Sequence, residues 1–294
     1  MKAPDRREPE SIQVRVDLAI LGEPFRHEFV VPRAPIRPIR MLPVFQAVTD
    51  EMMRRAASAA TQDGKSISCK AGCGACCRQL VPISETEARH LAALVDAMPE
   101  PRRGVIRARF AEVRGRFEVA AFDGGDPQTP GPAGLWERLL AHASLSEDET
   151  ERLGLDYFHA RVPCPFLEDE ACSIHPDRPL SCREFLVTSP AEHCADPTPE
   201  TIEPVAAPSH PSDALARIDP QPATRGVYWI PLVFALDFAA AHPDERPPRP
   251  ALDHLNTFLG LVVALASDDA GETPPAPGPR SHRRDARKKK RRRA

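Results

Sequence analysis

Hydrophobic and polar positions alternate along residues 12–22 (IQVRVDLAILG) and, after GEPF, along RHEFVVP. A period of two puts the apolar side chains on one face of a strand, so the pair reads as a β-hairpin with Gly22 and Pro24 in its turn. The Pro-rich stretch 32–43 reads as extended chain. From Val44 the period lengthens, and Val44, Ala47, Val48 and Met52 share one face of a helix to about Ala60. Ser84-Glu85-Thr86-Glu87 forms a capping box, and the stripe Leu91, Leu94, Val95 and Met98 behind it predicts a second helix. Val105, Phe110, Val113 and Phe117 space a third over 102–121. Residues 123–134 (DGGDPQTPGPAG) read as a loop, and shorter helices are expected at 134–143 and 146–159, the latter opened by Ser146 and Glu149. Residues 195–226, rich in Pro, Ala and Thr, suit a linker or an irregular wrap. Helices then resume at 227–241, with Pro231 in the first turn, and at 250–267. No repeat is visible, nor the strand–helix alternation that would build a parallel sheet.

The expected fold is therefore mainly α, with a short N-terminal β-hairpin. Its expected organisation is a hairpin and extended Pro-rich segment over 1–43, a cysteine-bearing domain over 44–195 and a Pro-rich linker over 196–226. A C-terminal helical pair packing on that domain over 227–268 and a disordered basic tail over 269–294 complete it. The 34 prolines among 294 residues support extensive irregular structure. Net charge is −3, but it is unevenly spread: residues 280–294 carry ten Lys or Arg and one Asp, leaving −12 on residues 1–279. Such a tail suits non-specific contact with nucleic acid through phosphate charge, or attraction to the acidic body. The N-terminal residues read as carrying no signal peptide. Apolar runs such as FLGLVVALA (258–266) fall well short of the roughly 20 residues that span a bilayer. The expectation is a cytoplasmic protein with no membrane partner.

In that reducing compartment cysteines serve as metal ligands or reactive groups more than as staples. All eight lie within residues 69–194: Cys69, Cys73, Cys76, Cys77, Cys164, Cys172, Cys182 and Cys194. Core cysteines behave as small hydrophobes and would scatter, yet the neighbours in SCKAGCGACCRQ are Gly, Lys, Ser and Arg. Thiolates two to four residues apart converge on one centre where the backbone can turn tightly, and Gly72 and Gly74 supply that freedom. Three close cysteines plus a remote Cys-Pro is an iron–sulfur arrangement, and Cys164-Pro165 is such a remote candidate. Paired knuckles suit zinc equally. The spacing Cys69-x3-Cys73-x2-Cys76 also matches the radical S-adenosylmethionine motif. Against that stand Ala75 in place of its aromatic, the abutting Cys77, and the missing strand–helix alternation.

With the downstream motifs the pattern becomes specific. CKAGCGACCRQLVPISETEA resembles the C-x3-C-x2-C-C opening of the YkgJ-type cysteine-cluster family, described as a zinc- or iron-chelating domain. PCPFLEDEACSIHPDRPLSCREF is similar to its second half, with P-C-x-F-L, C-x-I-[YH] and R-P-x-x-C-R in order. The resemblance covers about residues 65–195 and has counterparts for all eight cysteines. It implies a small irregular helical domain organised around a cysteine metal cluster, with those eight thiolates as ligands. The family's metal is given as zinc or iron; the expectation here is an iron–sulfur cluster, [4Fe–4S] in form, or zinc, in a structural or redox role, with an unidentified protein as partner. One branch of the family resembles flagellin lysine N-methylases, which implies a cluster-dependent methyl-transferring enzyme. No S-adenosylmethionine, flavin or nucleotide fingerprint accompanies the cysteines, which favours a non-enzymatic module.

Around the cysteines, His159, His175 and His193 are near enough in sequence to be alternative ligands, but outer or surface roles fit better beside eight thiols. Arg178 and Arg183 flank Cys182, where cations would offset thiolate charge. Pro179 is placed to start the helix carrying Cys182 and Arg183. Phe166 and Leu167 are expected to wall the site, and Met41, Met52 and Met53 to serve the core and its rim.

Overall fold

The computed structural model describes residues 11–119, 147–218 and 229–271, less 21, 22, 71, 196 and 199. The expected loop at 123–134, the helix at 134–143 and the tail from 272 lie outside the described residues. The chain is mainly helical, with a small antiparallel hairpin near its N-terminus. Strands β1 (Ser11–Ile20) and β2 (Glu23–Pro32) pair so that Val14 faces Phe29 and Ile12 faces Val31. Pro24 lies within β2 opposite Ala19 rather than in the turn, because the connection is only residues 21–22. Helix α1 (Leu42–Gln62) follows, then β3 (Pro82–Ile83), α2 (Glu85–Ala97), α3 (Arg102–Val119) and α4 (Glu147–His159). The short hairpin β4–β5 (Leu167–Glu168, Ala171–Cys172) precedes α5 (Leu180–Glu184) and α6 (Pro211–Ile218). Strand β6 (Ile230–Pro231), α7 (Ala235–Ala241) and α8 (Ala251–Gly271) complete the described chain.

Two apolar cores hold these elements. The first joins the hairpin, α1, α6 and α8 through residues such as Val16, Phe29, Phe45, Leu215 and Phe258. Phe45 and Phe258 rings meet at 4.4 Å between centroids, a favourable aromatic pairing inside an apolar core. The side-chain alternation of the strands is what turns Val16, Phe25, Phe29 and Val31 inward together. The expected methionines Met41, Met52 and Met53 are all buried. The second core joins α2, α3, α4, β6 and α7, with Leu91, Val95, Ile106, Phe110 and Phe166 at its centre. On α3 Phe110 and Val113 are buried as expected, but Ile106 takes the buried place expected of Val105, which stays 46% exposed.

Two further differences from the sequence expectation have physical causes. The apolar run from 227 does not form one helix: Ile230 and Pro231 pair with Ile83 and Pro82, and a 3-10 turn at Leu232–Phe234 leads into α7. Val81 accepts a hydrogen bond from Leu232 N at 2.9 Å, so tertiary pairing overrides local helix preference there. Within the Pro-rich stretch, α6 is a true helix, because Ala214 and Leu215 bury against the first core. Among the described residues no helix is long and apolar enough to cross a membrane.

Candidate metal centre

After α1 the chain runs without regular structure to the first cysteine. Ser68 N donates to Val187 O at 3.0 Å, and Val187 N donates in turn to Cys69 Sγ at 3.4 Å. Gly72 has φ +80°, a conformation a residue with a Cβ adopts only with strain. Gly74 is needed for a different reason. A Cβ there would lie 2.6 Å from Leu167 Cδ1 and 2.7 Å from Glu170 O, so the backbone comes directly onto the β4–β5 turn. Cys76 and Cys77 then sit on a 3-10 turn at Ala75–Arg78, closed by Cys77 N donating to Gly74 O at 3.0 Å.

The second cysteine segment is joined to the first through the backbone. Cys164 N donates to Cys77 O at 2.7 Å. Leu167 pairs with Cys172 across the short hairpin, whose two turn residues, Asp169 and Glu170, have φ of 49° and 58°. Positive φ at both central residues is the two-residue geometry that suits the twist of paired strands. Arg78 grips the Glu170 carboxylate with both terminal nitrogens, at 2.6 and 3.0 Å, so the turn of Cys76 and Cys77 holds the turn preceding Cys172.

Cys182 is presented by α5, with Pro179 at its N-cap as the sequence suggested. Leu180 N donates to Glu87 Oε1 at 2.7 Å, while Glu87 Oε2 accepts from Ser84 N at 2.8 Å. The capping box of α2 thus also fixes the start of the helix that carries Cys182. Ser181 Oγ donates to Pro82 O at 2.7 Å, and Cys194 is buried on a 3-10 turn at Ala191–Ala195.

These elements bring all eight cysteines to the wall of one cavity of about 110 Å³. All eight are free thiols. Phe166, Ile174, Leu186 and Leu232 supply the apolar wall, and Lys70, His175 and Arg178 the cationic or ionisable part. Among the described residues no carboxylate lines it. Nor does any group of three or more His, Cys, Asp or Glu side chains close on a point in the manner of a formed metal site. The sulfurs surround a space instead of meeting at its centre.

Burial dominates the electrostatics. It pushes the Cys164 thiol up to about 12 and the Cys194 thiol up to about 11, and holds Cys182 well above the ordinary thiol range. Cys69 and Cys172 are raised by the same cause, and Cys76 chiefly by its hydrogen bond with the neighbouring Cys77. A protonated, enclosed thiol is a poor nucleophile. The same group becomes a ligand once a metal displaces its proton, so loading must release protons. The donor set fits a thiolate-ligated centre: eight sulfurs, a neighbouring guanidinium and no carboxylate to attract a hard cation.

Of the expected outer residues, His175 lines the cavity, and burial lowers its pKa. His193 Nδ1 instead contacts Thr201 O at 3.0 Å, and the His159 side chain lies outside the described residues. Leu167 packs against Gly74, whereas Phe166 forms the wall itself. Arg183 is 7% exposed and pairs with Asp50 at 2.6 Å, not with its neighbour Glu184. Glu87, Asp50 and Glu170 were not legible as parts of the site. The placing of Arg78 beside Cys77 and of Glu170 beside Cys172 was the available signal for one of these contacts.

A second cleft, of about 310 Å³, also reaches Cys76 and Cys182, between Pro82, Phe185, Val205 and His210. No protein-family model, curated protein or solved structure matches the chain.

Proposed function

We propose that this protein binds metal through its cysteine thiolates, as the YkgJ-type resemblance implies, and that the metal is held as an iron–sulfur cluster in a structural or redox role. The observation that supports this reading is the meeting of all eight thiols, from segments about ninety residues apart, on one enclosed cavity. Cys69, Cys73, Cys76, Cys77, Cys164, Cys172, Cys182 and Cys194 are the ligand set from which the centre draws. One structural zinc and one iron–sulfur cluster each take four cysteines, so eight thiols around one space suit two four-ligand sites, or one cluster with thiols to spare. When bound, such a cluster supplies one-electron chemistry or a rigid cross-link. The chain's own part is to exclude water with Phe166 and Leu232 and to hold Cys76, Cys77 and Cys172 in register through Arg78 and Glu170. Eight free thiols accord with a reducing, cytoplasmic setting.

Anaerobic purification followed by iron, sulfide and zinc analysis and a visible spectrum tests the reading. Brown protein with acid-labile sulfide and dithionite-bleachable absorbance is expected. Colourless protein holding stoichiometric zinc would replace the cluster by zinc, and protein that takes up neither would remove the reading. A second reading, a cluster-dependent enzyme, rests on the cleft that reaches Cys76 and Cys182, because a substrate there would lie beside the centre. A substrate-dependent change in the cluster spectrum separates it from the first.

A further inference from the structure

Among the described residues lining the thiol cavity, Arg178 carries a buried side-chain nitrogen, its Nε, with no hydrogen-bond partner. Buried donors are almost always satisfied, so an orphaned one calls for an explanation. No carboxylate lines the cavity to pair with it, although residues 1–279 carry a net −12. Lys70, the other fixed cation of the wall, is exposed and therefore screened.

The neighbouring arginine is built in the opposite way. Arg183 Nη1 bonds Asp50 Oδ2 at 2.6 Å, its Nη2 donates to Pro176 O, and its Nε donates to Arg178 O at 2.9 Å. Gln46 Nε2 donates to the same Arg178 carbonyl at 3.4 Å. The backbone of Arg178 is thus held from α1 and α5 while its guanidinium Nε is left free. Its positive charge favours the thiolate forms of Cys69, Cys76 and Cys172, which come from both cysteine segments.

We infer that Arg178 supplies the positive charge and the hydrogen-bond donor that the loaded thiolate centre requires, with Arg183 as the positioning residue that fixes it. This rests on the metal-binding reading above. In the metal-free protein the guanidinium Nε has no partner to lose, so its removal leaves the apo fold intact. In the loaded protein it faces accumulated thiolate charge, and its removal weakens the centre.

The test compares the parent with Arg178→Gln and Arg178→Lys, each prepared metal-free and then anaerobically reconstituted with iron and sulfide or with zinc. Urea unfolding of the apo forms and metal retention against a chelator are the two measurements. Arg178→Gln is expected to keep the apo unfolding midpoint of the parent while losing about tenfold or more in metal retention, as loss of groups that support metal ligands does. Arg178→Lys, which keeps the charge but not the planar fork, falls between them. If the variant carries an iron–sulfur centre, its reduction potential is also lower than the parent's, because reduction adds negative charge beside a lost cation. A parent that takes up no metal removes the metal-binding reading, and this inference with it. A parent that loads while Arg178→Gln retains metal equally well overturns this inference alone. Equal destabilisation of apo and loaded forms by Arg178→Gln would show an ordinary structural arginine and overturn it too.

Discussion

Replacing Gly74 by alanine adds a single methyl group, and the structure fixes where it goes. The new Cβ would stand 2.6 Å from Leu167 Cδ1, 2.7 Å from Glu170 O and 2.9 Å from Glu170 C. The leucine methyl can swing aside, but the carbonyl belongs to a two-residue turn already held at positive φ and clamped by Arg78. To restore ordinary contact at 3.4 Å, the turn must retreat by about 0.7 Å. Overpacking of this kind costs about 1–3 kcal/mol. For a protein of this size that corresponds to a fall in melting temperature of roughly 2–4 °C per kcal/mol. The displaced hairpin carries Cys172 and packs on the turn of Cys76 and Cys77, so metal uptake should fall in the same variant. Gly115→Ala is the control, because a Cβ within α3 there meets nothing within 4 Å. It should be stabilising by about 0.5–1 kcal/mol through helix propensity. Denaturant unfolding of the metal-free forms, with metal content measured separately, gives both quantities. A Gly74→Ala protein as stable as the parent and fully loaded would refute the claim that this contact sets the cavity.

Other expectations are equally direct. Burial pushes the Glu87 carboxyl up to about 7 from 4.5 despite its accepted hydrogen bonds. A raised folded-state pKa gives stability that is present below the unfolded value and lost as pH rises towards the folded one. The apo protein should therefore lose on the order of 3 kcal/mol between about pH 4.5 and 7. In Glu87→Gln that slope should flatten, and urea titrations across the window that superimpose on the parent's would exclude it. Cys164→Ser and Cys194→Ser, one at each end of the second segment, should each lower bound metal per folded chain, as read by metal analysis beside circular dichroism. Phe45→Ala should cost about 3–5 kcal/mol in the first core, while the folded fraction still binds metal at parental stoichiometry. A loss of metal from folded Phe45→Ala would refute that independence, the damage reaching the site through Gln46 and Asp50 of the same helix.

Much of the helical framework could be read in the sequence because its signals are local. Ser84 and Glu87 form the capping box that their spacing suggests, and the stripe of Leu91 and Val95 buries as expected. The short apolar run at 229–234 carries no such local signal. Pro231 looks like a helix opener, yet its place is set by pairing with Pro82, about 150 residues earlier. Helix α6 was hidden by the prolines around it, since its eight residues bury only a few side chains. For the site, cysteine spacing pointed to the ligand types but not to the geometry. The contacts that shape the cavity, Arg183 with Asp50 and Arg78 with Glu170, span 133 and 92 residues of sequence. Only the tertiary fold brings them together, so no window of sequence can contain them.

The first core joins the two ends of the described chain, and this has a consequence for biosynthesis. The β1–β2 hairpin and α1 rest on α8, and His254 of α8 contacts Ile36 O at 2.9 Å across 218 residues of sequence. At about 5–20 residues per second, the hairpin therefore waits on the order of ten to forty seconds for α8 to be made. An isolated two-stranded hairpin is marginal in water, so its apolar face spends that interval uncovered. All eight cysteines are translated within the same interval. On the metal-binding proposal, loading can thus begin on the nascent chain before the hairpin and α8 have met.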